Sequence, residues 1–208
     1  GEEEDLVALN LASAADESEA TALLNSAKTK LASGSTGSAE RKLKKIIKKY
    51  PETMASGDAR FLHGQILMGK GRWVKAFDNL QEIIFKHPNY ENFNQVISAQ
   101  FDCATALMEG ARGRILWIIP GFKQHSTAAS QFEQIIRNAP YSDYAPLAHM
   151  NIALIYEQLQ RPEDAIDTLD RLINYYPHSM LAPDAYFNMA QTYSNLVNGA
   201  EYDQGSTR

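Results

Sequence analysis

Pro51, Pro88, Pro140 and Pro177 each close the same phrase of sequence, and this internal repeat constrains the fold more than any single residue does. Twelve positions before each proline stands an alanine (Ala39, Ala76, Ala128, Ala165), and eight before stands a large apolar residue (Leu43, Leu80, Phe132, Leu169). Five and four before stand Ile46 and Ile47, Ile83 and Ile84, Ile135 and Ile136, and Leu172 and Ile173. That spacing puts the apolar residues of each phrase on one stripe of an α-helix. The proline, which lacks an N–H and clashes with the preceding turn, then stops the helix. Repetition of one such two-helix unit predicts an all-α superhelix of stacked helix-turn-helix repeats, an architecture that holds other molecules on its faces.

The repeats are expected at about 19–53, 57–88, 91–140 and 146–177, with a partial one over 183–208. Residues 1–18, acidic at Glu2, Glu3, Glu4 and Asp5, read as a flexible tail. In the first pair the helices run from Glu19 to Leu31 and from Ala39 to Tyr50; in the second, from Ala59 to Met68 and from Val74 to Lys86. The fourth pair runs from Pro146 to Gln158 and from Glu163 to Tyr175. Pro146 and Pro183 each follow an alanine and start a helix, where a missing N–H costs nothing. The third pair, Glu91 to Met108 and Thr127 to Asn138, is split by an insertion over 109–126. Proline-to-proline spacing is accordingly 37, then 52, then 37. Because the extra residues fall inside one pair, they form an excursion from one edge of the array.

The bulk properties exclude several function classes. A formal charge of -5 argues against broad nucleic-acid binding, which needs a basic field. The longest apolar run, Ile115 to Ile119, is far short of the roughly 20 residues that span a bilayer. Cys103 is the only cysteine, so neither an internal disulfide nor a cysteine zinc site is available. His63, His87, His125, His149 and His178 show no metal-ligand spacing such as H-E-x-x-H. No phosphate loop or G-x-S-x-G element occurs, and the acids Glu163 and Asp164 open a helix, where carboxylates are favoured by the dipole. The chain is therefore read as non-catalytic, with no cofactor and no metal. It opens on Gly1 without an initiator methionine, which suggests either a trimmed chain or a processed form, with a signal peptide or lipid-attachment cysteine expected among what was removed.

Counting back from Pro88 puts Gly64, Leu67, Gly71, Trp73, Ala76, Leu80 and Ile83 at the signature positions of the tetratricopeptide repeat, which the chain resembles from Glu19 onward. The implied fold is a right-handed superhelix. Repeats longer than 34 residues, with a Tyr-Pro-x-Ser ending at Tyr176 to Ser179, are similar to those of bacterial envelope proteins. In layout the chain resembles the BamD family of outer-membrane β-barrel assembly lipoproteins, which has five repeats and an insertion within the third. That resemblance implies a lipid-anchored protein at the periplasmic face of the outer membrane. Its partners would be the barrel-forming assembly subunit and unfolded outer-membrane proteins. It departs from the family in lacking the Asp-Arg-Asp run near the insertion. The alternative is another periplasmic tetratricopeptide adaptor, of the cell-division or Tol-Pal systems.

First helices of tetratricopeptide repeats line the concave face. The ligand-facing positions there are Leu24, Phe61, Met150 and Phe187, followed one turn later by Lys28, Gln65, Leu154 and Gln191. Apolar and amide side chains at these positions suit an extended or helical peptide and not the Lys/Asn clamp that holds an acidic peptide end. The alternative for each residue is packing against a neighbouring helix. In the insertion, Trp117 and Phe122 are candidate contacts: folded back the segment caps the array, exposed it marks a partner or lipid contact. Folding back is favoured, since so apolar a segment left in water invites aggregation. Arg41, Lys42, Lys44, Lys45, Lys48 and Lys49 form a basic face that is either simply solvated or meets anionic lipid. The final helix carries Tyr186, Phe187, Met189, Tyr193, Leu196 and Val197, too many apolar residues for one buried stripe, so part of it should stay uncovered or pair with another chain.

Overall fold

The computed structural model describes residues 12–114 and 120–205, with side chains described over 12–110 and 124–199. Regular structure among these residues is entirely helical. Helices α1 (Ala14–Ala32) and α2 (Thr36–Lys49) belong to the first repeat, and α3 (Met54–Gly69) and α4 (Trp73–Lys86) to the second. The third holds α5 (Phe93–Arg114) and α6 (Pro120–Asn138), the fourth α7 (Tyr144–Gln158) and α8 (Pro162–Tyr175), and the fifth opens with α9 (Ala182–Gly205). Contacts divide the chain into two compact units, Gly1–Cys103 and Ala104–Arg208. In the first, α2 packs on α1, α3 on both, and α4 on α3; in the second, α6 to α9 pack in sequence.

The repeated stripe forms the core of each unit. Ala39, Ala76, Ala128 and Ala165 are fully buried, as are Leu43, Leu80, Phe132 and Leu169 to within 1%. Ile46, Ile83, Ile135 and Leu172 are buried with them. Small residues let paired helices approach closely. A Cβ on Gly64 of α3 would lie 3.1 Å from Leu80 Cδ2 on α4.

Two kinds of turn recur. Between the helices of a pair, the chain closes with a six-to-one backbone bond: Ser35 N–H to Lys30 O, Arg72 N–H to Leu67 O, and Arg161 N–H to Tyr156 O, at 2.8–2.9 Å. That closure needs a left-handed residue, supplied by Gly34 (φ 77°), Gly71 (φ 68°) and, unusually, Gln160 (φ 56°). Between repeats, Tyr50, His87, Ala139 and Tyr176 each donate a backbone N–H to the carbonyl four residues back, and the proline follows at once. The residue before proline is pushed out of helical geometry, which ends the helix there.

Four boundaries differ from expectation by five residues or more. Helix α1 begins at Ala14, inside the stretch read as tail, because Ser13 Oγ accepts the Asp16 N–H at 3.1 Å and Asp16 and Glu17 complement the helix dipole. Glu17 also accepts the N–H of Met54 at 3.2 Å, capping α3, which starts five residues before the expected Ala59. The helices extend into the stretch expected as an excursion over 109–126: α5 runs on to Arg114 and α6 starts at Pro120. Proline suits a first helical position, so Pro120 starts α6 as Pro162 starts α8.

Candidate protein-interaction site

The predicted inner-face positions divide between the two units. On α1, Leu24 is 5% exposed and lies in the core with Ala39, Leu43 and Ala55, which removes it from any ligand surface. Its turn of α1 faces both α2 and α3, so the packing alternative holds at this position. One turn on, Lys28 is exposed, with Nζ 3.8 Å from Asp58 Oδ2 of α3. Phe61 is half-buried and Gln65 exposed on α3. In the second unit, Met150 is half-buried against Leu169, Leu172 and Ala185, and its sulfur accepts from Asn188 Nδ2 at 3.5 Å. Leu154 is half-buried, Phe187 is 67% exposed and Gln191 is exposed. Trp117 lies outside the described residues, and Phe122 falls within α6 with its side chain outside them.

Among the described residues, exposed large apolar side chains are most numerous on α9. Tyr186, Phe187, Tyr193 and Val197 are each more than half exposed, as the apolar surplus of this helix predicts. Ala185 and the half-buried Met189 pack into the cluster beneath.

A buried polar cluster in the first unit was not evident from spacing. Glu40 of α2 is 8% exposed and binds Lys70 Nζ at 2.5 Å, Lys44 Nζ at 3.2 Å and His63 Nε2 at 3.3 Å. Asn79 of α4 continues the cluster, its Nδ2 donating to Arg60 O at 2.8 Å while its Oδ1 accepts from Arg60 Nη1 at 3.2 Å. The hydrogen bond from Lys70 outweighs burial and, with Lys44, holds the Glu40 carboxyl down at about 2. Burial also lowers His63 below the ordinary imidazole value. The sequence did hold a signal: the residue after each repeat alanine is Phe77, Ala129 or Ile166 in the other three repeats, all buried, so Glu40 stands in an apolar register.

Among the described residues no group of three His, Cys, Asp or Glu side chains is placed to hold a metal ion. Burial, with Asp102 beside it, pushes the Cys103 thiol up to about 12, so it is a core residue and not a nucleophile. No helix of the described residues is long and apolar enough to cross a membrane.

Paired helices joined by left-handed turns, alanine and glycine at the close approaches, and proline at every repeat end define a tetratricopeptide-like scaffold, a protein-binding class. The chain belongs to the YfiO family, described as outer membrane lipoprotein, whose model matches residues 16–167. Comparison with curated protein sequences gives no match. Similar solved structures include MamA from Desulfovibrio magneticus RS-1, 15% identical with TM-score 0.44, covering 91% of this chain and 97% of that one. A thermophilic TPR protein of Thermus thermophilus is 16% identical with TM-score 0.40, covering 85% and 82%. YrrB, a TPR protein with an unusual peptide-binding site, is 20% identical with TM-score 0.42, covering 80% and 74%.

Proposed function

We propose that this chain is a non-catalytic scaffold of the bacterial envelope that supports insertion of β-barrel proteins into the outer membrane, as BamD does. The match to an outer membrane lipoprotein family over residues 16–167 carries this reading. In the full-length form a lipid anchor would hold it at the periplasmic face of the outer membrane. Its partners are the barrel-forming assembly subunit and unfolded outer-membrane proteins. Side chains that reach solvent on first helices support a binding role: half-buried Phe61 and exposed Gln65 in one unit, exposed Phe187 and Gln191 in the other. These offer aromatic surface and amide donors to a polypeptide, which suits extended or helical peptide recognition.

The test is in-host expression with the native upstream leader, with photo-crosslinking residues at Gln65 and Gln191. Mass spectrometry of the envelope fraction is expected to recover the barrel-forming subunit crosslinked at one or both positions. Recovery of cell-division or Tol-Pal components in its place overturns the assembly role and leaves a different envelope adaptor.

A further inference from the structure

A groove of about 1300 Å³ in the second unit lies where the α6–α7 and α8–α9 turns meet the ends of their helices. Around it stand large side chains left open to solvent: Tyr141 (100% exposed), Tyr175 (70%), Met180 (94%) and Leu147 (38%). Pro140 and Pro177 also line it, and Tyr176 donates its hydroxyl to Pro140 O at 2.9 Å.

The repeat scaffold does not require this surface. The position two before the proline, Tyr175 here, holds Lys49, Lys86 and Asn138 in the other repeats. The position after it, Tyr141 at the third proline, holds Glu52, Asn89 and His178 elsewhere. Polar residues suffice at these two places, so the placing of Tyr141 and Tyr175 beside Tyr176 answers to something other than folding.

The polar groups differ in the same way. Counted from the proline, His149 and Arg171 stand where the second repeat has Arg60 and Glu82. There the buried guanidinium has Asn79 as a hydrogen-bond partner and the Glu82 carboxylate nearby. Here Thr168 replaces Asn79 and bonds to Asp164 O at 2.8 Å. His149, 7% exposed on the groove wall, is left with Nδ1 unpartnered. Arg171 makes no ion pair among the described residues, although Asp167 lies one helical turn away. Burial and the nearby Arg171 lower His149 to about 4, so it is neutral at pH 7. The groove's other described charged or titratable lining residues are Asp143 and His178. At the Glu82 position it thus carries Arg171 itself, while Asp143 is a carboxylate on its wall and Glu133, Asp164 and Asp167 line the adjoining pocket that His149 and Arg171 share.

We propose that this groove binds an extended, proline-containing segment of a protein partner, its rings seated on Tyr141, Tyr175 and Tyr176 and an acidic side chain held by Arg171. Proline-rich segments are already extended and dock in aromatic-lined grooves at low entropic cost, and the guanidinium pairs with carboxylates in a fork. The proposal rests on the protein-binding reading only in making the ligand a polypeptide, and a peptide measurement reports on it whichever envelope partner is recovered.

The probe is a synthetic fluorescein-labelled peptide of prolines with two glutamates and one tyrosine, alongside its counterpart with lysines for glutamates. Fluorescence anisotropy with the full chain is expected to show the acidic peptide binding about tenfold more tightly than the basic one. Arg171→Glu should reverse that preference, and Tyr175→Ala should weaken binding of the acidic peptide about tenfold while leaving the helical circular dichroism intact. Equal binding of the two peptides, no binding of the acidic one, or indifference to Arg171→Glu overturns the proposal. Both substituted residues are exposed, so the variants should retain the fold.

Discussion

At the scale of single residues, two backbone positions report on how the repeat is closed. Gln160 has the left-handed conformation that Gly34 and Gly71 have in the matching turns. A side chain in that conformation costs roughly 1 kcal/mol that glycine avoids. Gln160→Gly should therefore raise the stability of the second unit by about 0.5–1 kcal/mol, read from the urea midpoint. A decrease would mean that the Gln160 side chain contributes more than its backbone costs. Gly64 makes the opposite case. Alanine is the better helix former by up to about 1 kcal/mol. Its Cβ, however, would press to 3.1 Å from Leu80 Cδ2, and Leu80, completely buried, would have to shift within a packed core. Overpacking costs about 1–3 kcal/mol, so Gly64→Ala should destabilise. Urea unfolding checks the sign, and a stabilised variant would show that α3 and α4 can separate slightly without loss.

At the scale of elements, the cluster on Glu40 ties α2 to α3 through His63 and to the α3–α4 turn through Lys70. Because Glu40 is held at about 2 against an ordinary 4.5, its contribution is fully present above about pH 4.5 and is lost as pH falls toward 2. The Glu40→Gln variant should show a shallower loss of thermal stability between pH 6 and 3 than the wild type. Parallel curves would show that the carboxylate contributes no differential stability. Truncation by Glu40→Ala should cost roughly 1–3 kcal/mol, since it strands His63 in a buried site and frees Lys70 to solvent. The elements themselves were largely legible. The alanine, the large apolar residue and the isoleucine pair counted back from each proline place α2, α4, α6 and α8 and their buried faces. Where reading by stripe fell short, the deciding contact was local or polar. Ser13 and Glu17 set the starts of α1 and α3 through hydrogen bonds that leave no hydrophobic period, and Pro120 opens a helix within the stretch expected as an excursion. The candidate inner face was legible only in part: Phe187 and Gln191 are open, whereas Leu24 is core, because one helix face packs on two neighbours at the start of the array.

At the scale of the whole molecule, the two compact units suit repeat construction, and within each unit the helix contacts run between elements one or two places apart in the chain. Stability in such a chain is a sum of local terms, so damage should stay near where it is made. Leu43 and Leu169 occupy the same register in the first and fourth repeats, and both are buried to within 1%. Truncating either to alanine removes about three heavy atoms from a packed site and should cost roughly 2–4 kcal/mol. In a single cooperative domain both substitutions would weaken amide protection throughout. In this chain, hydrogen exchange followed by mass spectrometry should show Leu43→Ala accelerating exchange chiefly in α1 to α3, and Leu169→Ala chiefly in α7 to α9. The separation has a functional consequence for a scaffold. The exposed aromatic face of α9 and the tyrosine groove lie in the second unit, while the Glu40 cluster lies in the first, so lesions in one unit should impair its own ligands before those of the other. Uniform acceleration across all nine described helices, from either variant, would show one cooperative fold and remove the basis for treating the two units as independently damaged.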